Sequence, residues 1–120
     1  MKQIIFTENA PFPVGPYSQA VLVNGTLLYA SGQIAMGKLD TDVATQTHQV
    51  CENVIAVLAA ANMQLENVVK TTCFLTDMAD FATFNSVYEQ YFAHKPARST
   101  VAAKQLPKDA LVEIEIIAVL

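Results

Sequence analysis

Charge is scarce in this sequence. Asp, Glu, Lys and Arg make up 15% of its 120 residues, against 52% hydrophobic, where soluble domains average about 25% charged. A chain of this length is one domain, residues 1–120, and a small domain has much surface to cover. So few charges imply that part of that surface is hidden. Other copies of the chain are the expected cover, because large exposed apolar patches usually mark contact sites. Arginine is scarcer still: Arg98 is the only one, and the lysines are scattered. With a formal net charge of −4, the chain offers no basic stripe to nucleic acid phosphates, and an anionic membrane would attract it no better. Cys51 and Cys73 are too few for a disulfide framework, which points to a reducing, cytoplasmic compartment. The apolar run VIAVLAAA in the central helical region is far below the roughly 20 residues that span a bilayer. The segment MKQIIFTENAP lacks the apolar core of a signal peptide. His48 and His94 are isolated and do not combine with the cysteines into a metal-ligand spacing. Gly32 and Gly37 do not form a phosphate-cradling loop, and Ser18 has no histidine placed near it in sequence to activate it. Neither a metal nor a cofactor is expected.

What is present is a regular alternation of elements. KQIIF is a short strand. The prolines and Gly15 of TENAPFPVGP forbid regular structure. YSQAVLV and TLLYASG flank Asn24-Gly25, a pair that tolerates the positive φ of a tight turn, so a β-hairpin is expected there. From Val43, apolar and small residues recur at Thr47, Val50, Cys51, Val54, Ile55, Leu58 and Ala61. That is a helical period, and it predicts an amphipathic helix from Asp42 to about Ala61. NVVKTTCFL is rich in β-branched residues and reads as a strand. Asp77 or Asp80 can cap a second helix whose face is Phe81, Phe84, Tyr88 and Tyr91 or Phe92. Pro96 ends it. Two strands follow, Arg98 to Ala103 and Leu111 to Val119. The expected fold is α+β: a six-stranded mixed sheet with both helices on one face. The uncovered face is the natural place for oligomerisation.

The last two strands hold the sequence's main oddity. In LVEIEIIAV, Val112, Ile114, Ile116 and Ala118 share one face, which belongs to the core. Glu113 and Glu115 share the other with Leu111, Ile117 and Val119. If the two strands pair antiparallel, Arg98 lies near Glu115. A cross-strand salt bridge is the plain reading, worth about 0–1 kcal/mol if exposed. The functional reading is a carboxylate site, because a guanidinium grips a carboxylate through two parallel hydrogen bonds.

The stretches APFPVGPYSQAV, LLYASGQIA, VVKTTCFLTDMADFATFNSVYEQYF and KPARSTVAAKQLPKDALVEIEIIAV resemble the reactive intermediate deaminase (Rid) family, in particular its RidA branch. The likeness covers nearly the whole chain. The pairing of PARS with EIE is its most specific part. The resemblance implies a chorismate-mutase-like fold and a homotrimer with sites between neighbouring subunits. It implies hydrolysis of 2-imino acids, such as 2-iminobutanoate and 2-iminopropanoate, to 2-keto acids and ammonia without cofactor. On the same basis Arg98 clamps the substrate carboxylate and Glu115 positions the attacking water. Tyr17 lines the pocket, Ser31 and Gly32 mark where backbone groups approach the ligand, and Asn85 supports the site. Thr100 stands where many members carry cysteine, a departure that bears on substrate preference.

The chemistry is consistent with these residue types. An imine carbon is already electrophilic and chiefly needs orientation and a held water. A carboxylate polarises that water and carries a proton to the leaving amine. A second class of function shares the arginine: a non-catalytic trimer that binds small carboxylates such as keto acids. Both classes use Arg98, and only the enzyme needs Glu115 for turnover. A nuclease or translation-inhibitor role is opposed by the acidic charge.

Overall fold

The computed structural model describes residues 1–120. Six strands and two helices alternate along the chain: β1 (Lys2–Ile5), β2 (Ala20–Val23), β3 (Leu27–Gln33), α1 (Val43–Ala60), β4 (Val68–Leu75), α2 (Phe81–Tyr91), β5 (Ala97–Ala102) and β6 (Val112–Val119). This is the expected α+β arrangement. Hydrogen bonding divides the six strands into a four-stranded sheet of order β3-β6-β4-β5 and a two-stranded ribbon of β1 and β2.

The helices form where the apolar period placed them. Asp42 caps α1, its carboxylate accepting from the Thr45 N–H at 2.8 Å. That bond holds the Asp42 carboxyl below its ordinary range. Val50, Cys51, Val54 and Leu58 of α1 are buried against Phe84, Tyr88 and Phe92 of the second helical segment, and against Val112, Ile114, Ile116 and Ala118 of β6. The core face of β6 is therefore the one its alternation predicted. Gln46 is fully buried as well, a position the apolar period passes over. Its amide donates to the carbonyls of Leu39 and Thr41 and accepts from the Leu111 N–H, tying the loop before α1 to the start of β6. No helix is long and apolar enough to cross a membrane.

Two pairings differ from expectation. The Asn24-Gly25 hairpin does not form: β2 pairs with β1, and β3 pairs with β6. Tight two-residue hairpin turns need positive φ at the first central residue. Here only Gly25 has it, at φ 140°, so the strands diverge. Gly25 passes close to the chain end; a Cβ there would lie 2.8 Å from the Leu120 carbonyl oxygen.

Nor do β5 and β6 pair. β4 lies between them, parallel to β5 and antiparallel to β6. Parallel neighbours need a crossover, and α2 supplies it. The loop after β5 then crosses the end of β4, where the Ala103 N–H bonds Leu75 O at 2.7 Å and the Thr76 N–H bonds Leu111 O at 3.3 Å. That loop is a strand-skipping connection, so the antiparallel pairing of the last two strands considered from the sequence does not form.

Leu58 is fully enclosed, so Leu58→Ala should cost about 2–5 kcal/mol, measured as a lower urea midpoint at unchanged slope. Burial pushes the Cys73 thiol up to about 11 and raises Cys51 further. Both thiols should therefore react with a disulfide reagent at pH 8 at least about a hundredfold more slowly in the native protein than in urea.

Candidate active site

Crossover topology decides where Arg98 points. On β5 it faces Thr71 of β4, whose side chain is buried under α2 and hydrogen-bonded to the Tyr88 hydroxyl at 2.8 Å. Arg98 therefore lies on the helix side of the sheet. Its Nη1 donates to Asn85 Oδ1 at 2.6 Å, its one protein hydrogen bond. Aromatic rings surround the rest. The guanidinium carbon is 4.8 Å from the Tyr88 ring centre, 5.5 Å from Phe81, 5.6 Å from Tyr17 and 6.0 Å from Phe84. These are cation–π distances.

No negative charge accompanies them. Burial keeps the Tyr88 phenol well above its ordinary pKa and the Cys73 thiol at about 11, so both stay neutral beside Arg98. An arginine carries five N–H donors. One is used, and the guanidinium borders a cavity of about 250 Å³ whose walls include Gly15, Tyr17, Phe81, Asn85 and Thr100. Four of the seven expected site residues, Tyr17, Asn85, Arg98 and Thr100, thus meet in one place.

The loop carrying Tyr17 is fastened to the strand carrying Arg98. Ser18 Oγ donates to the Lys95 carbonyl at 2.6 Å, and Ser18 forms a parallel bridge with Ala97. The Tyr17 hydroxyl accepts from the Val14 N–H at 3.3 Å. Gly15 fits closely: a Cβ there would stand 3.5 Å from an Arg98 terminal nitrogen. A larger cleft of about 510 Å³ shares Gly15 and includes Glu89 and Lys95, but both of those side chains are exposed to solvent, so the Arg98 cavity is the better candidate.

Glu115, Ser31 and Gly32 are elsewhere. Glu115 faces Thr72 of β4, one residue out of phase with Thr71, and so projects from the face without helices. It borders a smaller hollow, of about 180 Å³, with Tyr29, Lys70 and Thr72. Two strand spacings, roughly 10 Å, and the thickness of the sheet separate it from Arg98. The Arg98–Glu115 cross-strand salt bridge does not exist in the chain. Ser31 and Gly32 occupy the irregularity where β3 slips against β6, between Ala30 and Gln33. The space over Gly32 belongs to Glu113, since a Cβ there would fall within 3 Å of three of its side-chain atoms.

Sequence reading gave Phe81, Phe84 and Tyr88 to the core. Phe84 and Tyr88 are buried there, yet they also flank the guanidinium. The available signal was their spacing with Asn85 on one helix, at steps of three and four residues. Both histidines have hydrogen-bond partners: His48 Nδ1 lies 2.9 Å from the Tyr91 hydroxyl, which donates to Glu52 at 3.3 Å. His94 bonds the Val68 carbonyl at 2.9 Å.

Comparison with known proteins agrees with this architecture. A family model described as Endoribonuclease L-PSP matches residues 7–120. A RutC family protein of Pyrococcus horikoshii is 50% identical over 124 aligned positions, covering 98% of each chain. Among solved structures, E. coli TdcF with bound serine is 41% identical with a TM-score of 0.75, covering 98% of each chain. RidA from an Antarctic Psychrobacter bacterium is 40% identical with a TM-score of 0.76, covering 98% of this chain and 99% of that one. Matched from end to end in both sequence and fold, the chain belongs to the Endoribonuclease L-PSP family, the family of the RutC and Rid proteins.

Proposed function

We infer that this protein hydrolyses 2-imino acids such as 2-iminobutanoate and 2-iminopropanoate to 2-keto acids and ammonia, as a cytoplasmic homotrimer. Family membership supports a small-molecule imine or enamine deaminase or binding role. The observation that carries the finer reading is Arg98 itself, a guanidinium with one amide partner, no carboxylate, and a cavity in front of it. Such a group is built to take an anion, and a carboxylate fits its paired donors. Tyr17 and Asn85 hold the guanidinium's orientation; Thr100 closes the far wall.

The reaction needs little else. Water adds to C2 of the protonated imine, forming a C–O bond as the C=N π pair moves to nitrogen. Glu115 takes the water's proton and passes it to that nitrogen. Glu115, free again, then takes the C2 hydroxyl proton as the C=O bond forms and ammonia leaves with its bonding pair; that proton goes on to solvent or to the ammonia, released as ammonium. No electrons leave the substrate, so no redox partner is required.

Because Glu115 cannot reach the Arg98 cavity of its own chain, this mechanism assigns it to a neighbouring subunit. The helix-free sheet face supports that assembly. It exposes Leu27, Val101 and Tyr29, the last at 72%, beside the two carboxylates. Ser31 and Gly32 belong to this contributing edge. A second reading has one specific observation in its favour: the Arg98 cavity is complete as a binding site without Glu115. A protein that only binds small carboxylates would use that half alone. A net charge of −4 with one arginine gives the nuclease role named in the family description no basic surface to work with.

The test generates 2-iminobutanoate in situ with a threonine dehydratase and traps surviving imine with semicarbazide. The intact protein should speed 2-ketobutyrate formation. Arg98→Ala should lose about 10²-fold or more in kcat/KM through the lost clamp, and Glu115→Gln about 10²-fold in kcat with keto acid binding retained. No acceleration by the intact protein, with keto acids still bound, selects the binding reading; acceleration left unchanged in Glu115→Gln overturns the role of Glu115 while keeping the enzyme. Subunit assignment has its own measurement. Refolding inactive Arg98→Ala and Glu115→Ala chains together should restore about a quarter of the sites if each site draws on two subunits of a cyclic trimer. No recovery would place both residues in one chain and contradict the shared site.

A further inference from the structure

Thr100 carries the one buried side-chain polar atom of the chain that lacks a hydrogen-bond partner, its Oγ1. The residue is only partly buried and lines the Arg98 cavity. Since Oγ1 is sealed from solvent, the part of Thr100 that the cavity meets is its carbon skeleton. Only a weak sulfur contact, with the Cys73 thiol, acts on the hydroxyl where it is. The neighbouring Cys73 thiol, its register partner on β4, already donates to Thr71 Oγ1 at 3.8 Å. The backbone groups of β4 and β5 are engaged in the strand ladder. A hydroxyl buried this way has lost its water and gained no more than a weak sulfur contact in return.

Oxygen, methyl and hydrogen occupy the three staggered positions about the Thr100 Cα–Cβ bond. One rotation of roughly 120° therefore exchanges the buried hydroxyl for the cavity-facing methyl. The same wall, at the same volume, presents either an apolar or a hydrogen-bonding surface. Arg98 and Thr100 are alternate residues on one face of β5, roughly 6–7 Å apart. That is within reach of an acid of three or four carbons held at its carboxylate by Arg98.

We propose that Thr100 makes this cavity select acids with a hydrogen-bonding group, such as a hydroxyl, on carbon 3 over acids of the same shape with a methyl there. An alkyl substituent leaves the hydroxyl with nothing better than the Cys73 sulfur in one rotamer and no partner in the other. A polar substituent satisfies it and removes a penalty already present in the free protein. The selectivity exceeds what an exposed hydroxyl would give, because an exposed group gives up a bond to water when it meets its ligand. The proposal rests on the reading of the Arg98 cavity as a carboxylate site.

Hydroxypyruvate and 2-ketobutyrate differ by hydroxyl for methyl at this position, and calorimetric titration with each reads the preference. The intact protein is expected to bind hydroxypyruvate at least about fivefold more tightly. Thr100→Val keeps the branched shape and removes the hydroxyl; it should equalise or reverse the preference and raise Tm. Thr100→Ser keeps the hydroxyl and should keep the preference. An unchanged ratio in Thr100→Val, with both acids still bound, overturns the proposal and leaves the carboxylate site standing. A lowered Tm in Thr100→Val would show the hydroxyl to be satisfied and overturn the premise. If neither acid binds, or if Arg98→Ala binds both as well as the parent does, the carboxylate site itself fails, and the proposal with it.

Discussion

A guanidinium half withdrawn from water with no carboxylate beside it is costly to hold, and the candidate site depends on how this chain holds one. Arg98 has a single amide beneath it and aromatic faces around it. The rings offer partial negative potential without a formal charge. Asn85 fixes one edge of the plane. What remains unsatisfied is directed at the cavity. A paired carboxylate would have stabilised Arg98 more and left it nothing to bind with. The neutrality of Tyr88 and Cys73, both enforced by burial, is part of the same arrangement.

The position of Arg98 follows from the crossover. Because α2 returns the chain parallel to β4, β5 becomes the outer strand, and its helix-facing residues look into the space between α2 and the loop at Gly15. Because β6 lies on the other side of β4, its outward carboxylates look the opposite way. One sheet thus carries two chemically different half-sites, back to back. The cation side is ringed by aromatic side chains, and the carboxylate side has exposed Tyr29 and Leu27 on the neighbouring strand. A chain with so few charges leaves this second face poorly suited to permanent contact with water.

Much of this was legible from residue order alone. The period of α1 named its core residues, and alternation in β6 separated Ile114 and Ile116 from Glu113 and Glu115, because side-chain direction in a helix or strand is a local property. Gln46 was not legible. A polar residue within an amphipathic period reads as exposed until the loop and strand that take its hydrogen bonds are seen. The Asn24-Gly25 turn misled for a related reason. The dipeptide permits a hairpin, but Asn24 is not in a positive-φ conformation, and β2 and β3 find other partners.

The sequence by itself determined which residue types exist to do chemistry: one arginine, two carboxylates in a strand, an asparagine and aromatics at helical spacing. It also determined which way each points relative to its own backbone. Tertiary structure alone decided which of them meet. Strand order is set by long-range pairing, and the intervening β4 turns an apparent Arg98–Glu115 neighbour pair into two groups on opposite faces. The same pairing brings Tyr17, distant in sequence, to Arg98 through Ser18. It also seals the Thr100 hydroxyl against nothing better than the Cys73 sulfur, a fact no local pattern encodes, because it depends on what β4 happens to place alongside.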